Sequence, residues 1–122
     1  MNYINILDEL AGAGIDVAFP GAKQGICAAP YVVVQNMGTH RFAQSDGLGY
    51  SLYEVHCYVP LADYRLLPLL IERVKAALQP LAPDLRPVGD ERVHLINDRF
   101  RAHEGSVQYL VQRRLTYSER ND

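Results

Sequence analysis

Four histidines, two cysteines and a scatter of acids are the side chains here that could do chemistry. His40, His56, His94 and His103 invite a metal reading, since imidazole is the commonest protein ligand for transition metals. None pairs with a second ligand at the spacings zinc sites use, and the chain contains neither HExxH nor CxxC. His56 and Cys57 are neighbours in a stretch that reads as a strand, so they point to opposite faces and do not readily share an ion. Cys27 lies in the Gly-containing segment PGAKQGICAAP, a loop type that can expose a thiolate, yet no spacing assigns it a base. There is no G-x-S-x-G. Gly21, Gly25 and Gly38 make neither a P-loop nor a GxGxxG fingerprint. Asp84, Asp90, Glu91 and Asp98 fall near connections, where solvated turn residues belong. Arg99, Arg101, Arg113 and Arg114 form either a small basic patch or a local ion-pair network with nearby acids. No catalytic residue, cofactor site or metal site is expected.

The whole chain bounds the reading further. Its 122 residues match the commonest size of a single domain. Hydrophobic residues at 48% and charged residues at 21% exclude wholesale disorder. Twelve Lys and Arg against 14 Asp and Glu leave a net charge of -2, a poor match to sequence-independent nucleic-acid binding, which depends on clustered positive charge. The start, MNYINILDELAGAGIDVAF, has no basic residue before its apolar ones and is interrupted by Asp8 and Glu9, so it does not read as a signal peptide. The longest apolar run, Leu66 to Ile71, contains Pro68 and is far short of the ~20 residues that span a bilayer. Without an export signal, Cys27 and Cys57 are expected as buried thiols in a reducing cytoplasm.

The elements that would position these residues follow from periodicity. Asn2 can cap a helix whose Ile4, Leu7, Leu10 and Ala11 share one face, ended by Gly12 and Gly14. Residues 15–19 read as a short strand and 31–35 as a buried one. Residues 36–49, with three glycines and little periodicity, read as a long mobile hairpin connection. Residues 50–59 alternate clearly: Tyr53, Val55, Cys57 and Val59 on a core face; Tyr50, Leu52, Glu54, His56 and Tyr58 on a mixed, aromatic-rich one. A helix from about Asp63 to Gln79 carries a stripe of Leu66, Leu67, Leu70, Val74, Ala77 and Leu78. Pro80, Pro83 and Pro87 define an extended connection. Residues 91–100 and 106–116 read as two strands with Gly105 in the turn between them, and 117–122 as a frayed tail. The expected fold is a single α+β domain spanning 1–122: an antiparallel or mixed sheet of about four to five strands with two main helices packed on it.

Eight tyrosines against three Phe and no Trp suit an interface, because Tyr combines an apolar body with a hydrogen-bonding tip. Three stretches then carry a resemblance. GIDVAFPGAKQGICAAPYVVV after the first helix, GYSLYEVHCYVPLADYRLLPLLIERVKAAL, and LAPDLRPVGDERVHLINDRFRAHEGSVQYLVQRR together resemble the small tail-completion, or tail terminator, and minor capsid proteins of long-tailed bacteriophages and prophages. The resemblance implies a structural protein and no enzyme. It implies a ring of copies, commonly a hexamer, that caps the completed tail tube and offers the surface joining the head. Its implied partners are itself, the tail-tube protein and a head-completion protein, with no nucleic-acid sequence recognition and no membrane. Its implied place is the host cytoplasm during assembly and then the virion. A head-closure or neck adaptor protein, or a small enzyme using Cys27 or a histidine, are the alternatives. The residues of this sequence that suit a contact between copies are Arg41 and Phe42 on the connection and Tyr50, Leu52, His56 and Tyr58 on the mixed strand face. The competing account of that face is that a helix covers it as core.

Overall fold

The computed structural model describes residues 2–23, 25–42 and 47–116; the side chains of residues 90–94 lie outside that description. The elements, in chain order, are α1 (Tyr3–Gly12), β1 (Val17–Ala18), β2 (Tyr31–Arg41), β3 (Leu48–Pro60), α2 (Leu66–Leu78), β4 (Leu85–Asn97) and β5 (Ala102–Arg114). Single 3-10 turns at Leu61–Asp63 and Gln79–Leu81 flank α2. The expected α+β architecture is the one observed. Five strands form one sheet in the order β1–β2–β3–β5–β4, and both helices pack on it. It is mixed: β1 runs parallel to β2, and every other neighbouring pair is antiparallel.

Local chemistry explains the elements. The Asn2 side chain accepts the Asn5 N–H while the Asn5 side chain accepts the Asn2 N–H, a reciprocal cap at the start of α1. α1 then buries Ile6 and Leu10. In α2, Leu67, Leu70, Ile71, Val74 and Leu78 recur every three or four residues and are all buried. Pro68 sits in the first turn, where its missing N–H has no helical partner to lose. Both helices cover one face of the sheet, closing over Val32, Val34, Tyr53, Val55, Cys57, Val59, Val107, Tyr109 and Val111. The core face read from alternation in residues 50–59 is the buried one.

Several boundaries differ from the sequence expectation. The loop expected over residues 36–49 is mostly paired strand: β2 continues through Arg41 and β3 begins at Leu48, with residues 43–46 outside the described residues. A bulge between Asn36 and Thr39 shifts the register there, with Gly38 at φ 92° and its N–H held by the Asn36 side chain. One extra residue reverses the face of everything beyond it, which erases the alternation a reader looks for. β4 begins at Leu85 and includes Pro87, because it is an edge strand and loses no ladder bond on its outer side. The turn expected at Gly105 lies instead at residues 98–101; Gly105 is inside β5, opposite Cys57. The strand expected over 15–19 reduces to Val17–Ala18. The tail at 117–122 lies outside the described residues.

Candidate interaction surface

Neither helix covers the second sheet face, so the alternative of a helix-covered core face does not hold for it. That face carries Tyr31, Val33 and Gln35 from β2, Tyr50, Leu52, Glu54, His56 and Tyr58 from β3, and Glu104, Ser106, Gln108 and Leu110 from β5, placed by the ladder register. Its two ends are built differently.

At the β1 end, chain segments fold over the sheet. Tyr58 is 9% exposed and belongs to a second core cluster with Ala18, Cys27, Tyr31 and Ala102, against which Val33 and Phe100 pack. Tyr31 and Tyr58 stack with ring centroids 5.0 Å apart, and Phe100 meets Tyr58 edge-on at 6.0 Å. The Cys27 N–H donates to the Phe100 carbonyl at 2.7 Å, tying the 20–30 segment to the β4–β5 turn. Tyr58 is therefore a core residue here, a correction to its reading as a contact residue: residues distant in sequence supply its cover. Burial pushes the Tyr58 phenol well above its usual range, and the neighbouring Glu104 carboxylate, which accepts its hydrogen bond, pushes it further. Beside this cluster lies a hollow of about 250 Å³ lined by Lys23, Gln35, His56 and the tyrosines.

In the middle sits a polar group that the sequence reading passed over. Glu54 is only 3% exposed, although it points away from the helices. The Ser106 hydroxyl donates to Glu54 Oε1 at 3.5 Å, and His56 Nε2 lies 3.8 Å from Glu54 Oε2. His56 Nδ1 is 3.5 Å from Glu104 Oε1, and its Nε2 is also 3.1 Å from Gln35 Oε1. The alternation of residues 50–59 shows that Glu54 and His56 share a face. It does not show that β5 brings Ser106 and Glu104 against them, because that pairing spans half the chain.

The far end is the β2–β3 hairpin. Tyr3, at the start of α1, donates its hydroxyl to the Val34 carbonyl at 2.7 Å and stacks near Tyr53. Beyond that point every residue of β2 is exposed. The hairpin thus runs past α1 by roughly 20 Å at the usual rise per residue. Here Tyr50 stacks on His40 at 5.2 Å and meets Phe42 at 5.1 Å. Phe42, Tyr50 and Leu52 are half-buried, and Arg41 is exposed. Of the six residues read as contact candidates, Phe42 and Tyr50 are thus brought together with Arg41 beside them. Leu52 sits between the two ends opposite Leu110, and His56 lies in the central polar group.

The thiols are free and buried, as expected. Burial raises the Cys57 pKa from its ordinary 9.0 to about 12. Burial likewise raises that of Cys27, whose thiol donates to the Ala29 carbonyl at 3.3 Å. A nucleophile needs the thiolate, so neither environment activates its cysteine. No group of three or more His, Cys, Asp or Glu among the described residues is placed to hold a metal ion. No helix among them is long and apolar enough to cross a membrane. Comparison with models of known protein families finds no match, and neither does comparison with curated protein sequences.

Proposed function

We propose that this chain is a structural protein of the head–tail junction of a long-tailed phage or prophage, a tail terminator that works as a ring of copies on the end of the tail tube. The resemblance of its three long stretches to that family motivates the reading. The observation that carries it is the shape of the sheet: among the described residues one face is left without helices, and a hairpin runs out beyond the covered part. A fold whose role is to meet other copies presents surface in that way, where a pocket enzyme encloses it. Exposed Phe19, Ile26, Leu69 and Ile96, each at least 59% accessible, add apolar surface that a lone copy leaves in water.

The test is electron microscopy of particles assembled without this protein. A terminator's loss gives overlong tails that fail to join heads. Tails of normal length attached to heads would overturn the reading. Normal free tails beside emptied heads would reassign the chain to a neck adaptor.

A further inference from the structure

The β1 side of the sheet is open over most of its length. β1 pairs with β2 only at Val32 and Val33, so from Val34 onward β2 has no strand partner on that side among the described residues. Alternate residues of a strand turn both backbone polar groups to the same side. Val32 shows which ones turn outward here: its N–H donates to the Asp16 carbonyl, beside β1, at 2.9 Å. Val34, two residues on, therefore faces outward too. A row of such groups is a template for strand addition, by which identical chains pair edge to edge.

The chain's own side chains stand at this edge. The Tyr3 hydroxyl donates to the Val34 carbonyl at 2.7 Å. Tyr3 begins α1, whose first turn is fixed by the Asn2–Asn5 cap, and its ring stacks on Tyr53 at 6.1 Å. Burial raises the Tyr3 pKa above its ordinary 10.0, so the hydroxyl keeps the proton it donates. Further along, the Asn36 side chain turns back to accept the Gly38 N–H at 2.8 Å, and His40 Nε2 lies 3.1 Å from the Met37 carbonyl. Met37 and Gly38 have no ladder partner on β3, so these are groups an incoming chain would otherwise find unused. Both sit where water could satisfy them equally well, and the fold gains little from the two side-chain bonds. What the bonds change is what a second chain meets. The bulge at Gly38 adds a local twist that a flat incoming strand does not match.

We propose that Tyr3, Asn36 and His40 close the free edge of β2 to strand addition, so that copies of this chain do not join edge to edge through it. An incoming strand must break the Tyr3–Val34 bond and straighten the bulge before making bonds of its own. Exchanging bond for bond leaves nothing to offset the cost of immobilising a second chain. The proposal goes beyond the ring reading and does not depend on it: a ring stops at a fixed size, whereas strand addition continues.

The test compares the full wild-type chain with Tyr3→Phe/Asn36→Ala/His40→Ala, which strips the three polar tips from the edge. Both are incubated in neutral buffer and followed by light scattering and thioflavin T fluorescence. With three hydrogen bonds removed at once, the triple variant is expected to grow open-ended, dye-binding assemblies at least about tenfold sooner than wild type. Amide hydrogen exchange should show residues 34–40 newly protected in those assemblies. Tyr3→Phe alone should give a smaller acceleration of the same kind, and it decides the matter if the triple variant is unfolded at the incubation temperature. Leu67→Ala is the control for lost stability, since it loosens the α2 layer and leaves the edge as it is. Four results overturn the proposal: edge variants that grow no faster than wild type; Leu67→Ala growing as fast as they do at the same fraction unfolded; assemblies in which residues 34–40 stay unprotected; or wild type that itself polymerises without limit. Failure of the ring reading is seen separately, in tail length without the protein.

Discussion

On the helix-covered face of β3, Val55, Cys57 and Val59 are wholly out of water among leucines and valines of the helices. Of the residues between them, Glu54 and Tyr58 are also buried at the opposite face and His56 is partly so, with neither helix above them. The first face is buried by apolar side chains from amphipathic helices, a contact with no preferred direction. The second is closed by its own neighbours: stacked tyrosines, a hydroxyl on a carboxylate, an imidazole between two acids. The contrast between the faces sharpens at the hairpin, where neither device operates fully and side chains are left in water on both sides. A covered face holds the fold together, and an uncovered end is available to something else.

The contrast predicts a steep gradient in the cost of substitution. Leu67→Ala opens a cavity under α2 at a residue 2% exposed, and urea unfolding is expected to show a loss of about 3 kcal/mol. A loss below 1 kcal/mol would mean that the helix layer is not the stabilising one. Gly49→Ala comes next. A Cβ there would run into the His40 backbone carbonyl and the Leu115 side chain. A cost of about 2 kcal/mol is expected, from overpacking against a backbone atom that cannot swing aside. The fall should come with loss of Phe42 and Tyr50 ring-proton shifts while the core shifts stay.

Alkaline pH tests the covered face in another way. Burial raises the folded-state pKa of Cys57 and Tyr109 on the covered face to about 12 each. The unfolded chain releases these protons first, so stability is complete below about pH 9 and falls as pH climbs toward 12. Each group contributes up to about 1.4 kcal/mol per pH unit in its window. Cys57→Ala should flatten the pH 9–10 part of that decline, before the unfolded-state tyrosines titrate, measured by urea midpoints. An unchanged slope would show that Cys57 is not held in the apolar layer. The smallest effect belongs to the projecting end: Leu48→Ala should change stability by less than about 0.5 kcal/mol. A larger change would mean that the end is packed within the single copy, which would weaken its assignment to contact between copies.

The covered face was legible in the sequence, because Leu67, Leu70, Ile71, Val74 and Leu78 repeat with the helical period and Tyr53 to Val59 alternate with period two. Each signal lies within one short window. The features that were missed all depend on something outside such a window. The bulge at residues 36–39 hid the long hairpin by reversing the faces beyond it. Pro87, together with Gly89 at φ 71°, hid the start of β4, since only its place at the sheet edge makes a proline acceptable there. The burial of Glu54 and Tyr58 depends on β5 and on the 20–30 segment, which no local pattern announces. That Tyr50, Leu52, Glu54, His56 and Tyr58 share one face was therefore legible, while how much of that face the molecule itself covers was not.

The Leu115 N–H donates to the Gly47 carbonyl at 2.8 Å, and the Leu115 side chain fills the space that Gly49 leaves by having none. The hairpin is thus finished by a residue synthesised long after it. While a nascent chain has made only residues 31–60, its β2–β3 end lacks both β5 and this clasp. The hairpin end therefore takes its folded shape only after Leu115 has been made, and not when its own two strands have been.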